Sequence, residues 1–519
     1  MLLLPQPSRG DLSMADTSSP WTGDACSLVD AFRSGERSPL SELEATVAAI
    51  NSSTLNAFCH LDVDAARERA EQADISLPFG GVPTAIKELD PVAGWPHTEA
   101  SLVFKGRLAA KTSHHVGRLV TRGGANPVGA TTASEFGGLN VSVTRINGVT
   151  HNPWREGRTV GGSSSGSAAA VSGGLVSLAT GGDGGGSIRI PAGYCGLLGM
   201  KGTFGRITRA PHAFMRPNTV VFGNLSRSVR DSARYFDVCA GVDSYDPSTL
   251  ESAGDWERSL GTHSLAGLRV AVLPSIAGVK LDAGVAEHLE QQAEALITAT
   301  GMVRVPLRLD LPNLAAQWMV GNMATLVADL GDRWPKCAGE LTEEIEIGMR
   351  LSHALYNLDT AAVAEELRVA ANETMAAAFD EVDLIICATN PGPAFAAEAS
   401  VSSSEPSFID WAKDSAAGRY GTRAALFGLR AASTVAPRLP SKLLGQMAER
   451  FPDLVTMGGL TMISNMYGNP AVSIPAGTVD GLPVGMQVLA PHHRDALLFD
   501  VALAFEREHP WPMVAPSVA

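Results

Sequence analysis

The sequence predicts an α/β fold with a large buried sheet, and three observations carry that reading. Short apolar runs bounded by breakers recur along the chain: "LRVAVLP" at 268–274, "VDLIICATN" at 382–390, "PAVSIPAG" at 470–477 and "PVGMQVLAP" at 483–491. Runs of this length without polar alternation suit strands covered on both faces. Helical stretches lie between them, and a chain of 519 residues that is 45% apolar and only 18% charged can bury a large core.

Taken in order, the chain opens on "MLLLPQPSRGDLSMADTSSP", which has no basic n-region and too short an apolar run for a signal peptide. Residues 1–22 are expected to be a disordered tail ahead of one folded unit at 23–519, and Met14 is as good a start as Met1. Ser38-Pro39 followed by Leu40, Leu43, Val47 and Ile50 gives an N-cap, a proline in the first turn and an apolar face at helical spacing. From about 80 to 240 the apolar pieces shorten and glycine punctuates them. There "SAAAVSGGLVSLA" (167–179) reads as a small-residue helix, and "SIRIPAGYCGLLGMKG" (187–202) as apolar and strand-like. The segment from about 311 to 460 is mostly helical and carries Trp318, Met319, Met323, Trp334, Trp411 and Phe427, a candidate apolar cap over a site. Ordinary core is the competing reading for each of those residues.

Composition excludes several functions. A formal charge of −14 without basic runs disfavours nucleic acid or an anionic membrane as partner. No transmembrane span or repeat occurs. Six cysteines without CxxC spacing indicate neither a disulfide framework nor a zinc site, and the expected home is a reducing cytoplasm. His114 and His115 are the only adjacent histidines besides His492 and His493. No HExxH occurs, and the first pair is expected on the solvated surface.

The chemistry-bearing stretch is Gly161 to Arg189, "GGSSSGSAAAVSGGLVSLATGGDGGGSIR". A linker would not be interrupted by apolar segments. A phosphate loop needs a Gly-Lys-Ser/Thr ending, yet no lysine lies between Lys111 and Lys201, and GxGxxG spacing is not met. What remains is close backbone approach to a reacting group, with N–H groups aimed at developing negative charge. "GSSSG" (162–166) matches the G-x-S-x-G elbow with Ser164 central, but "HNPWREGRTV" before it is a poor strand. SxxK is excluded, because no serine stands three residues before any lysine. Lysine is rare, eight against thirty-two arginines, and Lys87 closes the apolar run in "GVPTAIKELDPVAG". Burial there would favour the neutral amine, a base near neutral pH. The competing reading is a snorkelling lysine paired with Glu88 or Asp90.

Together "GVPTAIKEL", "GGSSSGSAAAV" and "GGDGGGSIRIPAGYCGLLGMKGTFGRI" strongly resemble the amidase signature family, serine hydrolases with a Ser, cis-Ser, Lys triad. "LEATVAAINSSTLNAF", "ASEFGG", "GVTHNPW" and "GNPAVSIPAG…GLPVGMQVLAP" extend the likeness from about Leu28 to Trp511; the 311–460 region matches poorly. The resemblance implies a single large domain, a mixed β-sheet core covered by helices on both faces. It implies Ser187 as nucleophile, Ser163 as the bridging serine after a cis peptide bond and Lys87 as base. Amides at Gly184, Gly185, Gly186 and Ser187, with Gly137 of "ASEFGG", would serve the oxyanion and substrate, and Asp183 and Arg189 would support the loop. Where the family commonly has Thr-Asp-Thr-Gly-Gly-Ser, this chain has Gly182 to Ser187, and the lost side chains suggest a roomier site. Ser165 replaces a common glycine and Gly202 a common proline.

No metal or organic cofactor is implied. The expected activity is cleavage of an apolar amide, aryl amides included, through an acyl-enzyme. A carbamate or ester hydrolase with the same triad, and a glutamine amidotransferase subunit, are the alternatives. The expected partners are small-molecule amides or carbamates, with the chain a monomer or homodimer.

Overall fold

The computed structural model describes residues 18–141, 143–211, 219–312, 315–399 and 456–516, with positions 436, 438, 439 and 442; for 315–321, 456 and 457 only the backbone is described. Eleven strands form one mixed sheet. They are β1 (Phe58–Leu61), β2 (Pro83–Lys87), β3 (Asn126–Thr131), β6 (Leu178–Asp183), β7 (Leu198–Lys201), β8 (Val221–Ser226), β9 (Arg269–Val272), β10 (Val303–Arg304), β11 (Leu384–Ala388), β12 (Ala471–Val479) and β13 (Leu482–Leu489). Their order is β1-β3-β2-β6-β8-β7-β12-β13-β11-β9-β10, and a small hairpin of β4 (Val143–Thr144) and β5 (Gly148–Val149) stands apart. Strands β3, β2 and β6 run parallel, as do β11, β9 and β10, while β6–β8–β7–β12–β13 pair antiparallel. The four strands expected from apolar runs are β9, β11, β12 and β13; β11 and β13 are buried throughout, and β12 over Ala471–Ala476.

Helices cover both faces of the sheet. Helix α5 (Ser165–Ser172) and helix α6 (Arg189–Cys195) pack on each other and on the central strands, while α7 (Val229–Cys239), α8 (Ala283–Thr300) and the C-terminal helix Asp495–Glu508 form a second group. Helix α1 spans Ala25–Ser34, and the helix expected from Ser38-Pro39 is α2, Pro39–Ser52. Ser38 caps it by accepting the Ser41 N–H, and the Ser41 hydroxyl accepts the Ser38 N–H in return. Helix α3 (Val63–Glu71) packs on α2, and α4 (His114–Thr121) packs on α7.

Three boundaries differ from expectation. Residues 18–22 belong to the fold, because the buried Arg227 guanidinium donates to the carbonyls of Trp21 (2.7 Å) and Gly23 (2.6 Å); residues 1–17 lie outside the described residues. The small-residue helix α5 stops at Ser172, and Leu178–Ala179 already belong to β6. At Gly173 a Cβ would stand 2.4 Å from Leu55, and Gly174 takes φ +72°. "RIPAGYC" is helix α6 rather than strand, with Pro191 accommodated in its first turn, and only Leu198–Lys201 of that run is strand.

Of the expected cap, helices α9 (Ala315–Leu330), α10 (Glu343–Leu355) and α11 (Leu358–Glu381) are described. Met323 and Met349 are buried there in one cluster with Phe104, Phe136 and Ile345, and Trp334 packs against it half-buried. Trp411 and Phe427 lie outside the described residues, as do the side chains of Trp318 and Met319. The six cysteines are unpaired. Among the described residues no helix is long and apolar enough to cross a membrane.

Candidate active site

Strand β2 ends on Lys87, and its neighbours β3 and β6 hold the strand on both sides. The Lys87 N–H is taken by the Thr180 hydroxyl of β6 (2.9 Å), which fixes where the side chain begins. Its Nζ lies 2.8 Å from Ser163 Oγ, 2.9 Å from Ser164 Oγ and 3.2 Å from the Gly182 carbonyl. Lys87 and Ser163 are each 2% exposed and Ser187 is 5% exposed, so this lysine does not snorkel to solvent. The Glu88 carboxylate beside it accepts from Thr98, Asn147 and the Ala100 N–H.

The two serines enter from the segment before α5. The Gly162–Ser163 peptide bond is cis. A Cβ at Gly162 would stand 2.5 Å from Ser134 Oγ and 2.8 Å from the Val141 nitrogen, so the chain passes there only as glycine. No strand precedes Ser164: Arg158 makes one isolated bridge and residues 159–162 are irregular, so the backbone of a nucleophile elbow is missing.

Ser187 follows β6 and the three glycines. Its carbonyl accepts the Ser164 N–H at 3.3 Å, which braces the two serine segments against each other. Gly186 has φ +124°, and a Cβ there would stand 2.2 Å from Thr461 Oγ1. Two of the expected oxyanion amides are already engaged, Gly186 with Asp183 Oδ1 (2.7 Å) and Gly137 with the Ser134 carbonyl (2.9 Å). The amides of Gly184, Gly185 and Ser187 have no partner among the described residues. The expected roominess is corrected at Gly182, where a Cβ would meet Phe222 Cδ1 at 3.2 Å and Phe222 Cε1 at 3.3 Å; at Gly184 a Cβ would meet Val220 Cγ2 at 3.2 Å.

Asp183 and Arg189 do support this loop. They pair through Arg189 Nε to Oδ2 and Nη2 to Oδ1, both 2.9 Å, and both side chains are fully buried. Burial alone would raise the Asp183 pKa, but the Arg189 guanidinium outweighs it and holds the carboxyl far below the usual carboxylate range. Arg189 also donates to the Thr461 carbonyl (2.8 Å), Gln487 Oε1 (2.6 Å) and Asn465 Oδ1 (2.6 Å), tying the loop to the helix Met462–Tyr467 and to β13. Those three partners were not found from sequence, because they lie about 270 to 300 positions away and only the sheet order brings them near. Ser164 as a second partner of Lys87 was missed too.

Near the cap, Glu135 Oε2 accepts the N–H (2.7 Å) and the hydroxyl (2.6 Å) of Thr342 at the start of α10. Burial pushes the Glu135 carboxyl up. A Cβ at Gly138 would stand 2.9 Å from Ile345 Cδ1, and one at Gly137 would stand 3.4 Å from Ser163 Oγ. The apolar cap thus approaches the serine pair through residues 135–138.

A lysine joined to two serine hydroxyls, beside a glycine turn whose amides at Gly184, Gly185 and Ser187 have no partner among the described residues, is an arrangement able to activate a hydroxyl and receive an oxyanion. A sequence model of the family described as Amidase matches residues 42–420. The chain belongs to the amidase family. An acylamidase of Rhodococcus erythropolis is 30% identical over 513 residues, covering 95% of this chain and 97% of the relative. A glutamyl-tRNA(Gln) amidotransferase subunit of Akkermansia muciniphila is 29% identical over 508 residues, covering 92% and 97%. A bacterial aryl acylamidase of the amidase signature enzymes superposes with a TM-score of 0.81 at 23% identity, over 94% of this chain and 97% of that one. That last likeness concerns the fold, the single large α/β domain of amidase signature enzymes.

Proposed function

We propose that this amidase cleaves the C–N bond of apolar, including aryl, amides through an acyl-enzyme, with Ser187 as nucleophile, Ser163 as relay and Lys87 as base. The contact of Lys87 Nζ with Ser163 Oγ at 2.8 Å carries the reading. Neutral Lys87 takes the Ser163 proton as Ser163 takes that of Ser187, and Ser187 Oγ attacks the carbonyl carbon. The resulting oxyanion is received by the amides of Gly184, Gly185 and Ser187. The relay run in reverse protonates the leaving amine, and water then releases the acid by the same route. Ser164 holds Lys87 from its other side. The buried cluster of Phe104, Phe136, Met323, Ile345 and Met349 beside residues 135–138 supports an apolar substrate.

The likeness to the glutamyl-tRNA(Gln) amidotransferase chain, which extends over nearly the whole sequence, supports a second reading, release of ammonia from glutamine for a partner. One panel separates the two: aryl amides, aryl carbamates, esters and glutamine given to the purified chain. The amidase reading expects turnover of aryl amides by the chain alone, with Ser187→Ala below about a thousandth of it. Activity on glutamine only contradicts it, and preference for carbamate or ester relocates the substrate while leaving the triad in place.

A further inference from the structure

The glycine turn before Ser187 is held from outside at points the serine relay does not touch. Next to Gly182 the support is packing: Phe222 lies against it and stacks on His115, which is fully buried rather than on the surface as its sequence context suggests. At Gly185 it is a hydroxyl. Thr461 Oγ1 donates to the Gly185 carbonyl at 2.6 Å, and both residues are buried. The N–H of the same peptide unit, that of Gly186, donates to Asp183 Oδ1 at 2.7 Å. A planar trans unit points its carbonyl and its N–H in opposite directions, so the unit Gly185–Gly186 is gripped from both sides.

The rest of Thr461 is fixed independently of that contact. It precedes the helix Met462–Tyr467, where a threonine hydroxyl ordinarily accepts an N–H of the first turn, yet this one makes no cap bond. Its own N–H donates to the Gly458 carbonyl at 3.1 Å, and its carbonyl accepts from Arg189 at 2.8 Å. The hydroxyl's other neighbour, the Gly458 carbonyl, is more distant at 3.3 Å. A Cβ at Gly186 would stand 2.2 Å from Thr461 Oγ1, so the turn's backbone lies directly against the hydroxyl.

The peptide units on either side of the gripped one carry amides that have no partner among the described residues. The unit after it, which bears the Ser187 N–H, is anchored where the Gly186 carbonyl accepts the Ile190 N–H at 2.7 Å. The unit before it, which bears the Gly185 N–H, has no such anchor among the described residues. Its aim depends on the gripped unit that follows. Given that Ser187 is the nucleophile, we propose that Thr461 is a positioning residue for the oxyanion: its hydroxyl keeps the Gly185–Gly186 unit from turning over, and so keeps the Gly185 and Ser187 amides aimed at the reacting carbonyl. Without the hydroxyl the Gly185 carbonyl is buried with no donor, and consecutive glycines leave the unit free to rotate in search of one. Rotation turns amides away from the developing charge that they stabilise.

The test compares Thr461→Val, which keeps the branched shape and removes the hydroxyl, with Thr461→Ser, which keeps the hydroxyl. Each is assayed with a chromogenic anilide and with an aryl trifluoromethyl ketone as inhibitor. Ser187 Oγ adds to the ketone carbon, its proton passes into the relay, and the carbonyl electron pair moves onto oxygen, which becomes the anion. Thr461→Val should lower kcat about a hundredfold, leave KM within about twofold, and weaken ketone binding about as much as kcat/KM. Thr461→Ser should keep at least about a third of the wild-type kcat. Altered packing alone moves KM or slows both variants alike. A kcat for Thr461→Val within about threefold of wild type, a Thr461→Ser as slow as Thr461→Val, or unchanged ketone affinity overturns the proposal. If Thr461→Val does not fold by circular dichroism, Thr461→Ala is compared with Thr461→Ser in the same way. Failure of both hydroxyl-free variants to fold overturns the proposal too, because the hydroxyl then serves the fold. An active Ser187→Ala overturns instead the reading of Ser187 as nucleophile. A dead Ser187→Ala beside an undiminished Thr461→Val overturns only the role of Thr461.

Discussion

The site floor and the cap above it are held by different forces. Around Ser187 the loop is fixed by charge-assisted and backbone hydrogen bonds that converge from distant strands: Asp183 and Arg189 with Asn465, Gln487 and Thr461. Among the described residues, the cap helices α9 and α10 are joined to the floor by apolar packing and by the polar contact of Glu135 with Thr342. Directional bonds hold atoms where chemistry needs them, whereas apolar packing tolerates exchange of side chains of similar volume. Chemistry should therefore fail with changes in the floor, and substrate preference should shift with changes in the cap.

The sharpest break of that contrast is Lys87→Arg. Guanidinium stays protonated at any usable pH and offers no lone pair, so acylation should fall by several orders of magnitude while the fold survives. Next is Arg189→Met, which leaves the Asp183 carboxylate buried without its cation and should cost about 3–5 kcal/mol in urea unfolding. The sign with pH follows from the direction of the Asp183 shift. Its folded pKa is depressed, so its contribution is fully present above the unfolded value near 3.9 and is lost as pH falls toward the folded value. Wild type should lose stability on acidification below about pH 4 more steeply than Arg189→Met. Ser164→Ala removes one of two hydroxyls on Lys87 and should slow acylation by about tenfold, a loss of about 1.4 kcal/mol. Rate loss as deep as in Lys87→Arg would show that Ser164, not Ser163, passes the proton. The smallest effect belongs to the cap. Glu135→Ala frees the start of α10 at a cost of about 1 kcal/mol, and should raise KM for bulky aryl amides about fivefold with kcat little changed. An equal fall of kcat would place Glu135 with the floor.

Sequence alone reached the floor better than the cap, for a physical reason. A glycine run that exposes backbone amides, and a lysine closing an apolar run in a chain with so few lysines, marked Gly184–Gly186 and Lys87 as candidates, while the roles expected of Ser187, Ser163 and Lys87 came only with the resemblance to the amidase signature family. The amides of Gly137 and Gly186 were not distinguishable from their neighbours, because which N–H is engaged depends on Asp183 folding back on the loop. His115 looked like a surface residue because nothing local marks α4 as packed on α7, or Phe222 as its stacking partner. Gly182 suggested empty volume, while Phe222, its cross-strand partner on β8, supplies the atoms that fill it. Apolar residues in the cap carry no directional signature, so the sequence marked a helical apolar region and could not say which side chains meet.

The central claim is that Ser187 becomes acylated, and intact-protein and peptide mass spectrometry after mixing with a slowly deacylating aryl ester tests it most directly. The account predicts one acyl group per chain, mapped to Ser187, retained but formed far more slowly in Lys87→Arg and absent in Ser187→Ala. An adduct on Ser163 or Ser164, or an undiminished adduct in Ser187→Ala, would contradict it.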